Sequence, residues 1–350
     1  MGRHWNFKRN RLITLGTFLS LLFVLLNVLT GCGGGGNGGS IFPKEIPAGP
    51  QPAFIAPEGI TTTIIKFDTT NCPEIGFFVS VNDENSDPVE GLTDQNFLVT
   101  EDGNVKVIKR INELANVAEP IIFSIAMDYS YSLTDQDVIN SENAAAFFVN
   151  ELYDLTSPLV SWGEIIKFIQ DSEVTQAFTD NKDDILSAIV SDPQDPIIQD
   201  RINRVRGTGL YDAIGKGIDN MAAFRTATPG LPTRSILIVV TDGKDAFSTT
   251  YTKEDNIAAA LAENVQIIAI GFGAEVDGEA LYDLATETNG LYFYTPTSDD
   301  LLGILTQLLD NLKNQYVMYF DSVDPGPHLV AVDVDTPKGA DSDELIYECP

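Results

Sequence analysis

The chain reads as an α/β protein in which a doubly wound, mainly parallel sheet is inserted into a small antiparallel β-sandwich built from the N- and C-terminal strands. Two observations predict this. Between Ile121 and Lys313, solidly apolar runs alternate with stretches of helical periodicity, the pattern of a parallel sheet covered on both faces. On either side, Thr61–Ile111 and Tyr316–Cys349 hold only short runs of strand character, too few in either half to bury two sheet faces. The economical arrangement joins the halves. It divides the chain into residues 1–31, 32–59, 60–118 together with 314–350, and 119–313.

Residues 1–31 read as an address. Arg3, Lys8, Arg9 and Arg11 precede an apolar run from Leu12 to Leu29, and no acid occurs in this stretch, as in a secretory leader. Leu29-Thr30-Gly31-Cys32 resembles the bacterial lipobox, whose Cys is diacylated and becomes the mature N-terminus. The alternative is an uncleaved anchor, since the run is nearly long enough to span a bilayer. The lipobox resemblance implies a lipid-anchored protein of the bacterial cell envelope, with Gly33 permitting sorting to an outer membrane where there is one. Gly33 to Ser40 is almost all Gly, and Pro43, Pro47, Pro50, Pro52 and Pro57 follow. This is a flexible and then extended tether.

The elements follow in order. Thr61–Phe67, Ile75–Val81, Phe97–Thr100 and Val105–Ile111 are expected strands, the last two joined at Asp102-Gly103-Asn104. The acidic stretch Asn82–Pro88 lacks the order of an EF-hand and reads as a solvated turn. In the central part strands are expected at Ile121–Met127, Ile165–Ile169, Val174–Phe178, Ser235–Thr241, Val265–Gly271 and Leu291–Tyr294. Helices are expected at Gln136–Tyr153, Lys182–Val190, Leu210–Phe224, Lys253–Glu263, Gly278–Thr286 and Ser298–Leu312. Strands return at Tyr316–Phe320, Leu329–Val334 and Glu344–Cys349, with Val330, Val332 and Val334 on one face.

Charge and cysteines narrow the chemistry. With 21 Lys+Arg against 51 Asp+Glu the net charge is −30, which repels a phosphate backbone and argues against nucleic acid as a partner. Beyond Cys32 the chain has Cys72 and Cys349. In an exported protein two such thiols are expected to pair, stapling the first half of the sandwich to the last. The alternative is two thiols buried separately.

Three segments converge chemically. The run Ile121 to Met127 ends in Asp128-Tyr129-Ser130-Tyr131-Ser132, a carboxylate and two hydroxyls on alternate residues. Gly207-Thr208-Gly209 opens a helix and offers a third hydroxyl. Ile236–Val240 is a buried strand that releases Thr241-Asp242-Gly243. In an α/β sheet such strand ends lie at the carboxyl edge, where sites form. Asp128, Ser130, Ser132, Thr208 and Asp242 are all hard oxygen donors suited to Mg²⁺. Taken singly, Ser132 or Thr208 reads as a helix cap and Asp242 as a turn residue. Asp212 is expected to face its helix or solvent, and Asp245 to lie at the rim.

Asp128-x-Ser130-x-Ser132, Thr208 in Gly-Thr-x-Leu-Tyr-Asp-Ala and Asp242 in Thr-Asp-Gly together resemble the metal-ion-dependent adhesion site of the von Willebrand factor type A family. The order of elements matches over residues 119–313. The flanks, Phe78–Val81 through Glu101-Asp102-Gly103 and Pro327–Val330, look like bacterial secreted versions of the family. Tyr131 and Leu133 stand where Gly and Met are frequent in the family, a departure that shapes access to the site and removes no ligand. The resemblance implies Mg²⁺ or Mn²⁺, with Ca²⁺ as an alternative, and a partner protein whose Asp or Glu carboxylate completes the coordination. It also implies that the last helix, Ser298–Leu312, shifts with the state of the metal.

The expected function is therefore metal-dependent protein binding by an envelope lipoprotein, not an enzyme. The mature part has a single His, His328, in the β portion, which leaves no His-based triad at the site edge. No phosphate-cradling Gly loop follows a strand. The alternatives are a metal-dependent hydrolase and a structural component of an envelope assembly.

Overall fold

Ile236, Ile238 and Val240 pack on one side of their sheet and Leu237 and Val239 on the other, all of them buried. That is why the strand is apolar without interruption, and why helices must cover both faces. The computed structural model describes residues 59–69, 71–113, 121–156, 161–205, 207–228, 234–322 and 324–349. The expected leader, Cys32 and nearly all of the tether lie outside them.

The central sheet contains β6 (Ile121–Asp128), β7 (Trp162–Phe168), β8 (Ser172–Thr179), β9 (Arg234–Thr241), β10 (Val265–Phe272) and β11 (Tyr292–Thr295), in the order β11-β10-β9-β6-β7-β8. All neighbours run parallel except β8, which pairs antiparallel with β7 at the edge. On one face α1 (Asp135–Thr156), α2 (Lys182–Ile189), α3 (Pro196–Ile202) and α7 (Leu301–Lys313) contribute Phe148, Ile185, Ile197 and Leu308 to the core. The other face is covered by α4 (Leu210–Ala227), α5 (Lys253–Ala262) and α6 (Gly278–Thr286), through Ile214, Ile257 and Leu284. From β6 the chain first builds β7 and β8 on one side, then crosses to β9 on the other. The β6–β9 boundary is thus a topological switch point, the place where sheets of this kind bind ligands.

The flanking strands make two four-stranded antiparallel sheets, the expected sandwich. The first has the order β1-β2-β12-β5, from β1 (Ile60–Asp68), β2 (Glu74–Asp83), β12 (Tyr316–Asp321) and β5 (Arg110–Glu113). The second has the order β14-β13-β3-β4, from β14 (Gly339–Cys349), β13 (Gly326–Thr336), β3 (Phe97–Glu101) and β4 (Asn104–Val105). Their inner faces share one core, in which Ile64, Phe77 and Val79 meet Val99, Val330, Val332 and Val334. Each sheet takes strands from both ends of the chain, as expected, and Cys72 and Cys349 are disulfide-bonded. Where the α/β body leaves and rejoins the sandwich, Glu113 of β5 and Tyr316 of β12 are paired residues.

Three expectations are corrected. Val105–Ile111 is not one strand: Lys106 donates its N–H to Val99 O at 2.9 Å in one sheet, and Lys109 donates to Tyr319 O at 2.8 Å in the other. The segment crosses from sheet to sheet, so its alternate Val residues, Val105 and Val107, face solvent. Helix α3 was not expected at all. The expected helix Ser298–Leu312 opens as a 3-10 turn, Ser298–Asp300, before α7 begins. In addition, β14 begins earlier than its apolar pattern suggests. Its polar start is used at the sandwich edge, where Asp341 and Asp343 carboxylates accept the N–H groups of Thr62 and Ile64 on β1, each at 2.7 Å. These side chains satisfy edge amides that no strand pairs.

Candidate metal centre

Asp128 is the last residue of β6 and is buried. One carboxylate oxygen accepts the Ser130 N–H at 2.7 Å, and the other accepts the Thr241 hydroxyl at 2.6 Å from the end of neighbouring β9. The turn is thereby closed on its own carboxylate. Ser130 Oγ lies 2.9 Å from Ser132 Oγ, and Ser132 Oγ donates to Asp242 Oδ1 at 2.9 Å. Thr208 enters from a third segment. Its Oγ1 lies 3.3 Å from the point where a Cβ on Gly243 would sit. All five residues singled out in the sequence thus gather at the carboxyl edge of the sheet, across the switch point.

The third segment is held by backbone. Gly209 donates its N–H to Ile169 O at 2.7 Å, just past the end of β7. A Cβ on Gly209 would lie 2.2 Å from Gln170 O, so only glycine permits this approach. Gly209, not Thr208, is the N-cap of α4, and the first-turn amides of Tyr211 and Asp212 are instead capped by Asp245 Oδ1 at 3.2 Å and Ser248 Oγ at 2.9 Å. The hydroxyl of Thr208 is therefore not spent as a cap. Thr208 O in turn accepts the N–H groups of Ala246 and Phe247, folding the loop after Asp242 against the Thr208 turn.

Two residues that sequence reasoning missed stabilise this edge. Arg201, on the unexpected α3, donates to the carbonyl oxygens of Ser130 at 2.8 Å, Leu133 at 2.8 Å and Tyr129 at 3.3 Å, and pairs with Asp135 at 3.1 Å. One planar guanidinium thus clamps the whole Asp128–Leu133 turn. Asp212 does not simply face helix or solvent. Its carboxylate accepts the N–H groups of Thr249, Thr250 and Tyr251, each at 2.9 Å. Partial burial works against its ionisation, but those three amides outweigh it and hold its pKa below the usual carboxylate range. Its place four residues after Thr208 was the available signal. Asp245 accepts from Tyr211 N at 3.2 Å and from Ser248 Oγ at 2.5 Å, which engages it within the same loop.

The electrostatics show what the edge suits. Burial pushes the Asp128 carboxyl above its ordinary range, against the pull of its hydrogen bonds. Burial together with the charge of Asp128 pushes Asp242 up to about 7. Among the described residues, no Lys or Arg forms an ion pair with either carboxylate. Two neighbouring desolvated carboxylates without a cation repel one another. With three hydroxyls beside them they form a hard-oxygen donor set that fits a divalent cation.

A family model of the von Willebrand factor type A domain matches residues 124–308. The chain belongs to that family. No curated protein matches it. Among solved structures it is similar to proximal thread matrix protein 1 from the mussel byssus, at 20% identity over 55% of this chain and 48% of that one, with a TM-score of 0.46. A second structure of the byssal protein, with a zinc-occupied MIDAS motif, matches at 17% identity over the same shares with a TM-score of 0.46. A von Willebrand factor type A protein from Catenulispora acidiphila matches at 9% identity over 84% of this chain and 74% of that one, with a TM-score of 0.45. The chain spans about half the length of the byssal protein.

Proposed function

We propose that this protein is a metal-dependent binding module of the bacterial cell envelope. Asp128, Ser130, Ser132, Thr208 and Asp242 hold a divalent cation, Mg²⁺ or Mn²⁺, with Ca²⁺ as the alternative. The cation supplies a Lewis-acidic position at which an Asp or Glu carboxylate of a partner protein binds. The supporting observation is the pair of desolvated carboxylates, Asp128 and Asp242, joined through Ser130 and Ser132 with no Lys or Arg paired to either among the described residues. Two carboxylates about neutralise a divalent ion, so the ion retains affinity for one further anionic oxygen. The protein's own part is positional. Thr241 and the Ser130 amide orient Asp128, Arg201 fixes the turn that carries the two serines, and Asp212 fixes the loop that follows Asp242.

The leader and Cys32 place the module on a lipid anchor, in the outer membrane where there is one, facing the periplasm or the exterior. Binding rather than catalysis is favoured by the position of His328. Its ring lies in the sandwich, between Asp102 Oδ2 at 2.7 Å and Asp324 O at 2.8 Å, away from the two carboxylates. The test is Mn²⁺ binding by calorimetry, followed by recovery of partners from envelope extract in Mg²⁺ and in EDTA. Wild type binds about one Mn²⁺, and Asp128→Ala and Asp242→Ala bind none. If partners are recovered equally in EDTA, or by Asp128→Ala, metal-dependent capture is wrong. Turnover of a phosphoester or peptide that vanishes in Asp242→Ala would make the protein a hydrolase instead.

A further inference from the structure

The five residues of the candidate centre are bracketed by two exposed aromatic rings. Tyr131 stands between Ser130 and Ser132 and is 44% exposed, and Phe247, on the loop after Asp242, is 43% exposed. Scattered exposed apolar residues are ordinary on a protein surface, but these two stand on segments that carry the centre's own residues, and Phe247 is held where it is. The Phe247 ring lies on Gly207, so close that a Cβ there would fall 2.3 Å from Phe247 Cδ2, and Gly207 has φ +132°. Its N–H is fixed on Thr208 O. The Tyr131 ring carries the guanidinium of Arg204 at 5.8 Å from its centre. A ring seated as Phe247 is loses little entropy when a partner covers it.

Arg204 and Lys244 are exposed beside the centre, where the acids Asp135, Asp137 and Asp245 also lie. The rim therefore carries charges of both signs, and its aromatic rings, not its net charge, set it apart.

We propose that the rim selects a protein segment in which an Asp or Glu is adjacent to a large apolar side chain. The carboxylate binds at the centre, and the apolar side chain lies against Tyr131 and Phe247. This rests on the metal-binding reading above.

The probes are short immobilised peptides with one Glu flanked by Phe and Leu, the same Glu flanked by Ser, and Gln in place of Glu with Phe and Leu retained. Each is presented to the full chain in Mg²⁺ and in EDTA. Binding in Mg²⁺ is expected to be about tenfold or more stronger to the Phe/Leu-flanked Glu than to the Ser-flanked Glu, and lost with Gln or EDTA. Tyr131→Ser with Phe247→Ser erases that preference while Mn²⁺ binding stays at the wild-type level. Equal binding of the two Glu peptides, a preference that survives the double variant, or no peptide bound by a protein that still binds Mn²⁺ would each overturn the proposal. A wild type that binds no Mn²⁺ overturns the metal reading itself, and this proposal with it.

Discussion

Arg201 reaches from α3 to the carbonyl oxygen of Ser130 at 2.8 Å. A residue with no place in the metal-binding pattern therefore sets the conformation of the loop that carries three of its five members. Arg201→Ala is expected to weaken Mn²⁺ binding about tenfold or more, the scale typical of groups that orient ligands. Arg201→Lys recovers only part of the loss, because an ammonium cannot span three carbonyls as a planar fork does. Calorimetric titration separates the three proteins, and unchanged circular dichroism shows that the fold is kept.

Asp212 acts on the opposite side of the centre. Asp212→Ala leaves three amides of the 249–251 turn without their acceptor, and the expected cost is about 2 kcal/mol in denaturant unfolding. Because the folded pKa is depressed, the stabilisation from this carboxylate is present above its unfolded pKa and is lost as pH falls through the folded one. The difference between wild type and Asp212→Ala therefore narrows on acidification below pH 4.

Glu164 on β7 titrates in the opposite sense. Burial pushes its carboxyl up to about 7, against hydrogen bonds from Ser124 at 3.0 Å and Asn220 at 2.8 Å. The folded state thus holds a proton that the unfolded state has released, and stability falls as pH rises from about 4.5 to about 7. Glu164→Gln is expected to flatten this part of the profile. The variant should melt above wild type at pH 8 and close to it at pH 5.

The Cys72–Cys349 bond closes a separation of 277 residues. Replacing both with Ala is expected to cost about 3–5 kcal/mol in sandwich stability through the unfolded chain's added freedom. Mn²⁺ binding should survive, because the bond lies in the other layer of structure. A double variant with wild-type melting behaviour would refute the expected stabilisation.

The candidate centre was legible because two of its carboxylates follow buried strands and its residues fall in a known motif. The apolar runs of β6 and β9 deliver Asp128 and Asp242 to one edge, and the resemblance of Asp128-x-Ser130-x-Ser132 and Thr208 to the family pattern supplies the rest. What holds the centre in place was much less legible. Helix α3 is only seven residues long and opens at the end of Asp192-Pro193-Gln194-Asp195-Pro196, which reads as a loop. Its available signals were Pro196 at the first turn, where proline suits a helix, and the buried pair Ile197 and Ile198. Val105–Ile111 misled for a different reason. Its alternation is real, but one short segment serves two sheets in turn, and the pattern cannot mark the crossing. Asp341 and Asp343 obscured the start of β14 because their work is across an edge, on β1 amides, and strand propensity counts acids against a strand.

The pairing of Tyr316 with Glu113 has a mechanical consequence. Entry and exit of the α/β body are neighbours on adjacent antiparallel strands, so a pull on the Asp242 edge loads β5 and β12 from the same end and in the same direction. Such a load opens one strand pair from its tip instead of shearing a sheet along its length. On the other side of β12, β2 remains hydrogen-bonded through Val79, Phe77 and Ile75, and resists after the first pair has yielded. Under such a load the joint between the α/β body and the sandwich gives way before the rest of the sandwich does.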